Sequence, residues 1–288
     1  MKILVNGAGG QLGREIAKRL SSVHCVRPFT RAMWDVTDEA ATRQIVEREA
    51  PDVVVHCAAY TAVDQCEKDA ATAFAVNAYG TRNVAAVCGE CGIALAYIST
   101  DYVFDGEKEA GYDEWDTTRP LNVYGRSKEA GEQFVRQLCR SHFILRTAWL
   151  YGVHGNNFVK TIVAKARKGG DIAVVNDQTG SPTYAGHLAA KIGELVATRY
   201  YGTYHLANRG SCTWYEFAQS IVERLRLKAR ILPISSQELG RSARRPRFST
   251  LQSLSLAAQC IASLPHWREG MSAFLQEWEG KSGECHIK

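Results

Sequence analysis

No stretch of the 288 residues approaches the ~20 consecutive apolar residues of a membrane-spanning helix, so a bilayer protein is not expected. There is no internal repeat and no low-complexity tract, which argues against a solenoid or a disordered chain. Nine cysteines are present, but as an odd set without regular spacing and partly inside apolar runs (Cys25, Cys57, Cys139), so a disulfide framework is not expected. The pair Cys88 and Cys91 in "CGEC" has metal or redox spacing but no second such pair and no neighbouring histidine, which favours a structural role. The eight histidines form no HExxH or similar cluster, so no metal site is expected. The excess of 35 basic over 30 acidic side chains, a net charge of +5, suits phosphorylated small molecules and gives no sign of nucleic acid. "MKILVNGAGG" runs directly into a strand and a glycine pattern, which is read as leaving no room for a signal peptide and as a cytoplasmic location.

What is present is an alternation. "KILVNG", "HCVRPFT", "DVVVHCAA", "ALAYIST" and "HFILRTAW" read as strands. Between them lie helical patterns from Gln11 to about Leu20, through "ATRQIVERE", along "AATAFAVNAYGTRNVAAVCGEC" as one long helix, and from the Tyr124 region onward. Strand runs apolar throughout, separated by helices, imply βαβ units and a parallel sheet covered on both faces. The expected fold is therefore α/β, a Rossmann-like doubly wound parallel sheet with a smaller C-terminal α/β lobe. We assign 1–150 to a dinucleotide-binding domain with returning segments near 171–198 and 242–258, and 151–170, 199–241 and 259–288 to a substrate-binding lobe. The tail "GKSGECHIK" reads as frayed.

The glycines of "VNGAGGQLG" sit between the first strand and the first helix, with Gly7, Gly10 and Gly13 spaced GxxGxxG around Gln11 and Leu12. Residues without a Cβ let backbone approach a pyrophosphate, and a helix N-terminus offers it free N–H groups. At the end of the second strand Thr30 and Arg31 stand where an acidic residue would favour NAD. An arginine beside a small hydroxyl residue suits the 2′-phosphate of NADP, so NADPH is expected, with NADH left open. Asp35 and Val36 are placed beside the adenine, although Asp35 to Asp38 could equally cap the next helix.

Four further motifs follow in order: "HCAAYTAVDQCE", "YISTDYVFDG", "PLNVYGRSK" and "LRTAWLYG", the last followed by "NNF" and later by "NDQTGSPT". Tyr124 and Lys128 form the only YxxxK in the chain, one helical turn apart on one face. Together these motifs resemble the extended short-chain dehydrogenase/reductase superfamily and, more narrowly, its dTDP-4-dehydrorhamnose reductase family, over most of the chain. The resemblance implies Tyr124 as proton donor, Lys128 on the nicotinamide ribose and lowering the tyrosine's pKa, and Thr100 bonding the phenol or the reacting oxygen. It also implies Ala58, Ala59 and Tyr60 against the cofactor backbone, with Thr61, Val63, Thr100, Asp101, Tyr102 and Trp149 lining a sugar pocket. The related dehydratases carry an Asp-Glu pair after the threonine; here Tyr102 occupies the glutamate position, which fits simple carbonyl reduction better.

The activity implied is reduction by NADPH of the 4-keto group of a nucleotide-linked 6-deoxy sugar, with dTDP-4-dehydro-β-L-rhamnose the leading substrate and a polysaccharide precursor the product. Two readings stay beside it: a reductase of another deoxyhexose nucleotide, and an NADP-binding regulatory subunit like that of methionine adenosyltransferase. The partners expected are the dTDP-sugar and, as an open option, a second copy of the chain, with neither nucleic acid nor membrane. The arginines of "RSARRPRF" (241, 244, 245, 247) are read as a solvated face or as a contact to the nucleotide diphosphate.

Overall fold

The computed structural model describes residues 1–283. Five strands open the fold: β1 (Lys2–Asn6), β2 (Cys25–Pro28), β3 (Val53–His56), β4 (Ala94–Thr100) and β5 (His142–Thr147). Together with a sixth strand, Gly202–His205, they form one parallel sheet in the order 202–205, β5, β4, β3, β1, β2. The order reverses between β1 and β3, and the crevice at that reversal is where a doubly wound sheet holds its ligand.

Strand alternation places Ile3, Val5, Val53 and Val55 on one face, against Leu12 and Ile16 of the first helix α1 (Gln11–Leu20) and Leu188 and Ile192 of the helix Ala185–Val196. Leu4, Val54, Leu95 and Ile144 fill the other face, against Ile45, Val84 and Val87. Both faces are covered, which is why the strands read as continuous apolar runs rather than as alternating ones.

A second core gathers Val159, Ile162, Phe217, Ile221, Trp267 and Phe274 around a two-stranded parallel sheet, Gly170–Val175 beside Ala229–Ile234. This lobe differs from the sequence division in three places. Strand Gly202–His205, assigned to the substrate lobe, lies on the edge of the main sheet. Segment 171–175, assigned as a return to the main domain, belongs to the small sheet. Leu264, assigned to the substrate lobe, packs in the main core. Strands of four to six residues carry too little pattern to name the sheet they join; pairing is decided by distant partners.

The long helix expected over 70–91 is continuous but contains a π segment, Ala75–Gly80, which fits the association of such bulges with functional sites. The C-terminal helix continues to Gly283, beyond the expected fraying point at 280, and the rest of the tail lies outside the described residues. Among the described residues no helix is long and apolar enough to cross a membrane.

Candidate active site

The carboxyl ends of β1, β3, β4 and β5 open on one cleft of about 840 Å³. At its first end the lining is backbone. Gly7 has φ +64°, and a Cβ there would stand 2.6 Å from the Ala58 nitrogen, so only glycine lets the turn lie against the end of β3. A Cβ on Gly13 would stand 2.6 Å from the Gly7 oxygen, so α1 packs onto the turn only because that position too is bare. Gly10 is the N-cap of α1 and supplies no side-chain cap, which leaves the first-turn N–H groups to an anion. Gln11 and Leu12 complete the turn's side of the cleft. A cradle that a Cβ would fill, beside an uncapped helix N-terminus, fits a dinucleotide pyrophosphate.

Arg31, Asp35 and Val36 line the adjoining region, as expected. The Thr30 carbonyl accepts from Met33 and Trp34 to close the turn after β2, and the exposed Thr30 side chain lies at the rim, its Cγ2 3.9 Å from where a Cβ on Gly9 would stand. Asp38, not Asp35, caps the next helix through the Ala41 amide at 2.9 Å. Asp35 instead accepts from the Thr37 amide (3.0 Å) and hydroxyl (2.8 Å), and these bonds hold its carboxyl below the usual range. Trp34, buried and packed edge-on against Phe29, also lines this region and was not singled out.

At the other end the lining is side chain. Asn122 caps the helix Val123–Leu138 by accepting from the Gly125 amide at 2.8 Å, placing Tyr124 and Lys128 on the face toward β4. Gly125 is required there: a Cβ would run into the carbonyl oxygen of Tyr102. Tyr124 is half-buried, its ring edge-on to Tyr102 at 5.9 Å. Burial pushes its phenol above the ordinary value, while hydrogen bonding to Thr100 pulls it back. Lys128 is 2% exposed; its Nζ donates to the Ile98 carbonyl at 2.6 Å and lies 4.0 Å from the Tyr97 ring centroid. Burial lowers this ammonium to about 7, against the pull of Glu132. Lys128 thus faces the end of β4. Thr100 donates to Asp101 Oδ1 at 3.1 Å and accepts from the Tyr102 amide at 3.2 Å. Burial raises the Asp101 carboxyl to about 7; Oδ2 has no hydrogen-bond partner among the described residues.

Behind these groups lies a buried polar frame that the sequence did not announce. Glu132, one turn beyond Lys128, accepts from Ser99 (2.6 Å) and from Arg146 at both oxygens (2.9 and 2.7 Å). Burial opposes its charge, but the arginines prevail and hold it at about 2. Asn77, in the π segment, accepts from the Tyr60 amide at 2.7 Å and donates to the Tyr60 carbonyl at 3.1 Å and to Ser127 at 3.0 Å. It thereby fixes the Ala58, Ala59, Tyr60, Thr61 and Val63 wall, all in the lining, to the tyrosine helix.

Trp149 also lines the cleft and has φ +46°, a left-handed conformation seldom adopted by a bulky side chain. Trp214, from the second lobe, lines the same end and went unnoticed; in "TWYEFAQ" it reads only as the apolar start of a helix. The arginines of 241–247 are absent from the lining. Arg245 instead binds both oxygens of Asp64 (3.0 and 2.8 Å), Arg241 lies 3.4 Å from the same carboxylate, and the Arg244 carbonyl accepts from Asn122. The segment is a clasp joining the cleft wall to the cap of the tyrosine helix.

A doubly wound parallel sheet, a glycine cradle at its switch point and a Thr–Tyr–Lys set at its strand ends define an oxidoreductase of the extended short-chain dehydrogenase/reductase class. The family model described as "RmlD substrate binding domain" matches residues 1–279. A dTDP-4-dehydrorhamnose reductase of Streptomyces griseus is 40% identical, the match covering 97% of this chain and 95% of that protein. A dTDP-4-keto-6-deoxy-D-glucose reductase of Streptomyces niveus is 37% identical over 93% of this chain and 94% of its own. The crystal structure of a dTDP-4-dehydrorhamnose reductase from Bacillus anthracis, in complex with NADP, superposes with a TM-score of 0.94 at 44% identity, covering 96% of this chain and 99% of that one. The chain belongs to the dTDP-4-dehydrorhamnose reductase family.

Proposed function

We propose that the protein reduces the 4-keto group of dTDP-4-dehydro-β-L-rhamnose with NADPH, giving dTDP-L-rhamnose, and that Tyr124 donates the proton. The observation that carries this is the convergence of Thr100, Tyr124 and Lys128 on one cleft with the glycine cradle. The dihydronicotinamide, when bound, supplies the hydride. The protein's part is to hold the ketone oxygen at the Tyr124 hydroxyl and Thr100, and to protonate the alkoxide as it forms. A phenol kept protonated by burial is suited to donate, and Thr100 stabilises the phenolate that remains. Arg31, exposed at the adenine end of the cleft, supports the choice of NADPH.

A second reading, reduction of the 4-ketone of another 6-deoxyhexose nucleotide, is favoured by the similarity to the dTDP-4-keto-6-deoxy-D-glucose reductase of Streptomyces niveus. The test is NADPH oxidation with each keto-sugar nucleotide in turn. Turnover of the dehydrorhamnose substrate at least tenfold faster than of the D-gluco ketone supports the first reading; the reverse preference replaces it with the second. Tight NADPH binding with no turnover of either would return the chain to a regulatory role.

A further inference from the structure

The indole rings of Trp149 and Trp214 lie face to face, with centroids 3.5 Å apart and planes within 4°. Trp149 follows β5 in the main domain, whereas Trp214 begins a helix of the second lobe, Trp214–Arg224, so the stack joins the two halves across the cleft. The opposite face of Trp149 is covered as well. A Cβ on Gly180 would lie 2.6 Å from its Nε1 and 2.7 Å from its Cζ2, and nearer still to the Cε2 between them. Such near-equal distances place it above the ring rather than at its edge. Trp149 is therefore sandwiched between a glycine and a second tryptophan.

The two covers differ in kind. Gly180 is backbone, in a strand pair with Cys212 that holds it rigidly. Trp214 is a half-buried side chain at the first turn of its helix, resting on Phe158 at 4.5 Å. The stack itself is not a favoured geometry. Aromatic pairs prefer offset or edge-to-face contacts with centroids about 4.5–7 Å apart, because fully overlapped rings oppose like quadrupoles. A pyranose presents C–H groups, whose slight positive charge is a better match to the negative face of an indole than another indole is.

We propose that Trp214 is a specificity-determining residue of the substrate end of the cleft, occupying the face of Trp149 that the apolar face of the sugar ring takes, and that it is displaced when the sugar binds. The inference rests on the sugar-nucleotide reading above. It requires a ligand with a sugar attached; a bare nucleoside diphosphate has nothing to compete with Trp214.

Stacked indoles give an exciton couplet in circular dichroism, so the wild-type protein reports the stack directly. The ligands are NADPH, dTDP and dTDP-L-rhamnose, each with binding measured separately by calorimetry. The couplet is expected to survive NADPH and dTDP and to be lost with dTDP-L-rhamnose. In Trp214→Ala, freed of the competing ring, KM for the keto-sugar nucleotide is expected to fall about threefold, the sign opposite to that of losing a side chain that only packs. Trp214→Phe, which keeps the packing on Phe158, falls between the two. Binding of dTDP-L-rhamnose with the couplet intact overturns this inference alone. Failure of dTDP-L-rhamnose to bind at all overturns the sugar-nucleotide reading and this inference with it.

Discussion

The two ends of the cleft are built from different materials. The cofactor end is made by what its residues lack: Gly7, Gly10 and Gly13 create room, and the first-turn N–H groups of α1 are left without a side-chain cap. The substrate end is made by what its residues carry: Thr100, Asp101, Tyr124 and Trp149 project side chains from different elements, Tyr124 packed on Tyr102 and Trp149 on Gly180 and Trp214. A backbone site can be encoded in a dozen consecutive residues, because one turn contains all of it. A side-chain site depends on packing from several elements, so its strength and selectivity are distributed over the chain.

That contrast is sharpest in substitutions that separate binding from chemistry. Tyr124→Phe removes one hydroxyl from the side-chain end and nothing from the backbone end. Its kcat is expected to fall about 10²–10⁴-fold while NADPH affinity and melting temperature hold; near-full turnover would end the proton-donor assignment. Gly7→Ala tests the opposite end. A methyl at positive φ against the Ala58 nitrogen is expected to cost about 1–3 kcal/mol of stability and to weaken NADPH binding, leaving the pH dependence of turnover unchanged. Denaturant melts and a fluorescence titration of NADPH check it, and a variant as stable and as tight as wild type would show that the turn has slack.

The third test uses pH. Burial raises Asp101 to about 7, so between about pH 4 and pH 7 the folded chain holds a proton that the unfolded chain has lost. Its contribution is full below the unfolded value and is lost as pH rises through 7, at up to about 1.4 kcal/mol per pH unit. Asp101→Asn is expected to flatten that slope, seen by comparing urea midpoints across the window; unchanged curvature would mean that Asp101 is ionised throughout. Lys128, lowered to about 7 by burial, acts with the opposite sign at higher pH, where stability is gained as it deprotonates early. The smallest effect is at the adenine rim. Arg31→Ala is expected to raise KM for NADPH about fivefold and to leave NADH unaffected, if the exposed guanidinium pairs with the 2′-phosphate that NADH lacks. Equal losses with both cofactors would detach Arg31 from cofactor choice.

The residues themselves show why some of this could be read early. The GxxGxxG turn, the YxxxK pair and the apolar strands are local patterns, and each reappears where its spacing put it. Arg31, Asp35 and Val36 fell on the cleft because they follow β2 by a few residues, with Thr30 of the same turn exposed at its rim beside Gly9. Trp214, Asn77 and the Glu132–Arg146 pair carry no local mark, because their importance comes from partners between 14 and 65 residues away.

The sequence by itself determined the parallel sheet and the glycine cradle, since hydrophobic period and absent side chains are properties of neighbouring residues; the roles proposed for Thr100, Tyr124 and Lys128 come from a family resemblance, which spacing alone does not carry. Only the tertiary structure decided which sheet received strands 170–175 and 202–205, that the arginine segment clasps Asp64, and that Trp149 lies between Gly180 and Trp214. Those outcomes depend on contacts between distant segments, where packing and desolvation of whole elements outweigh any local preference.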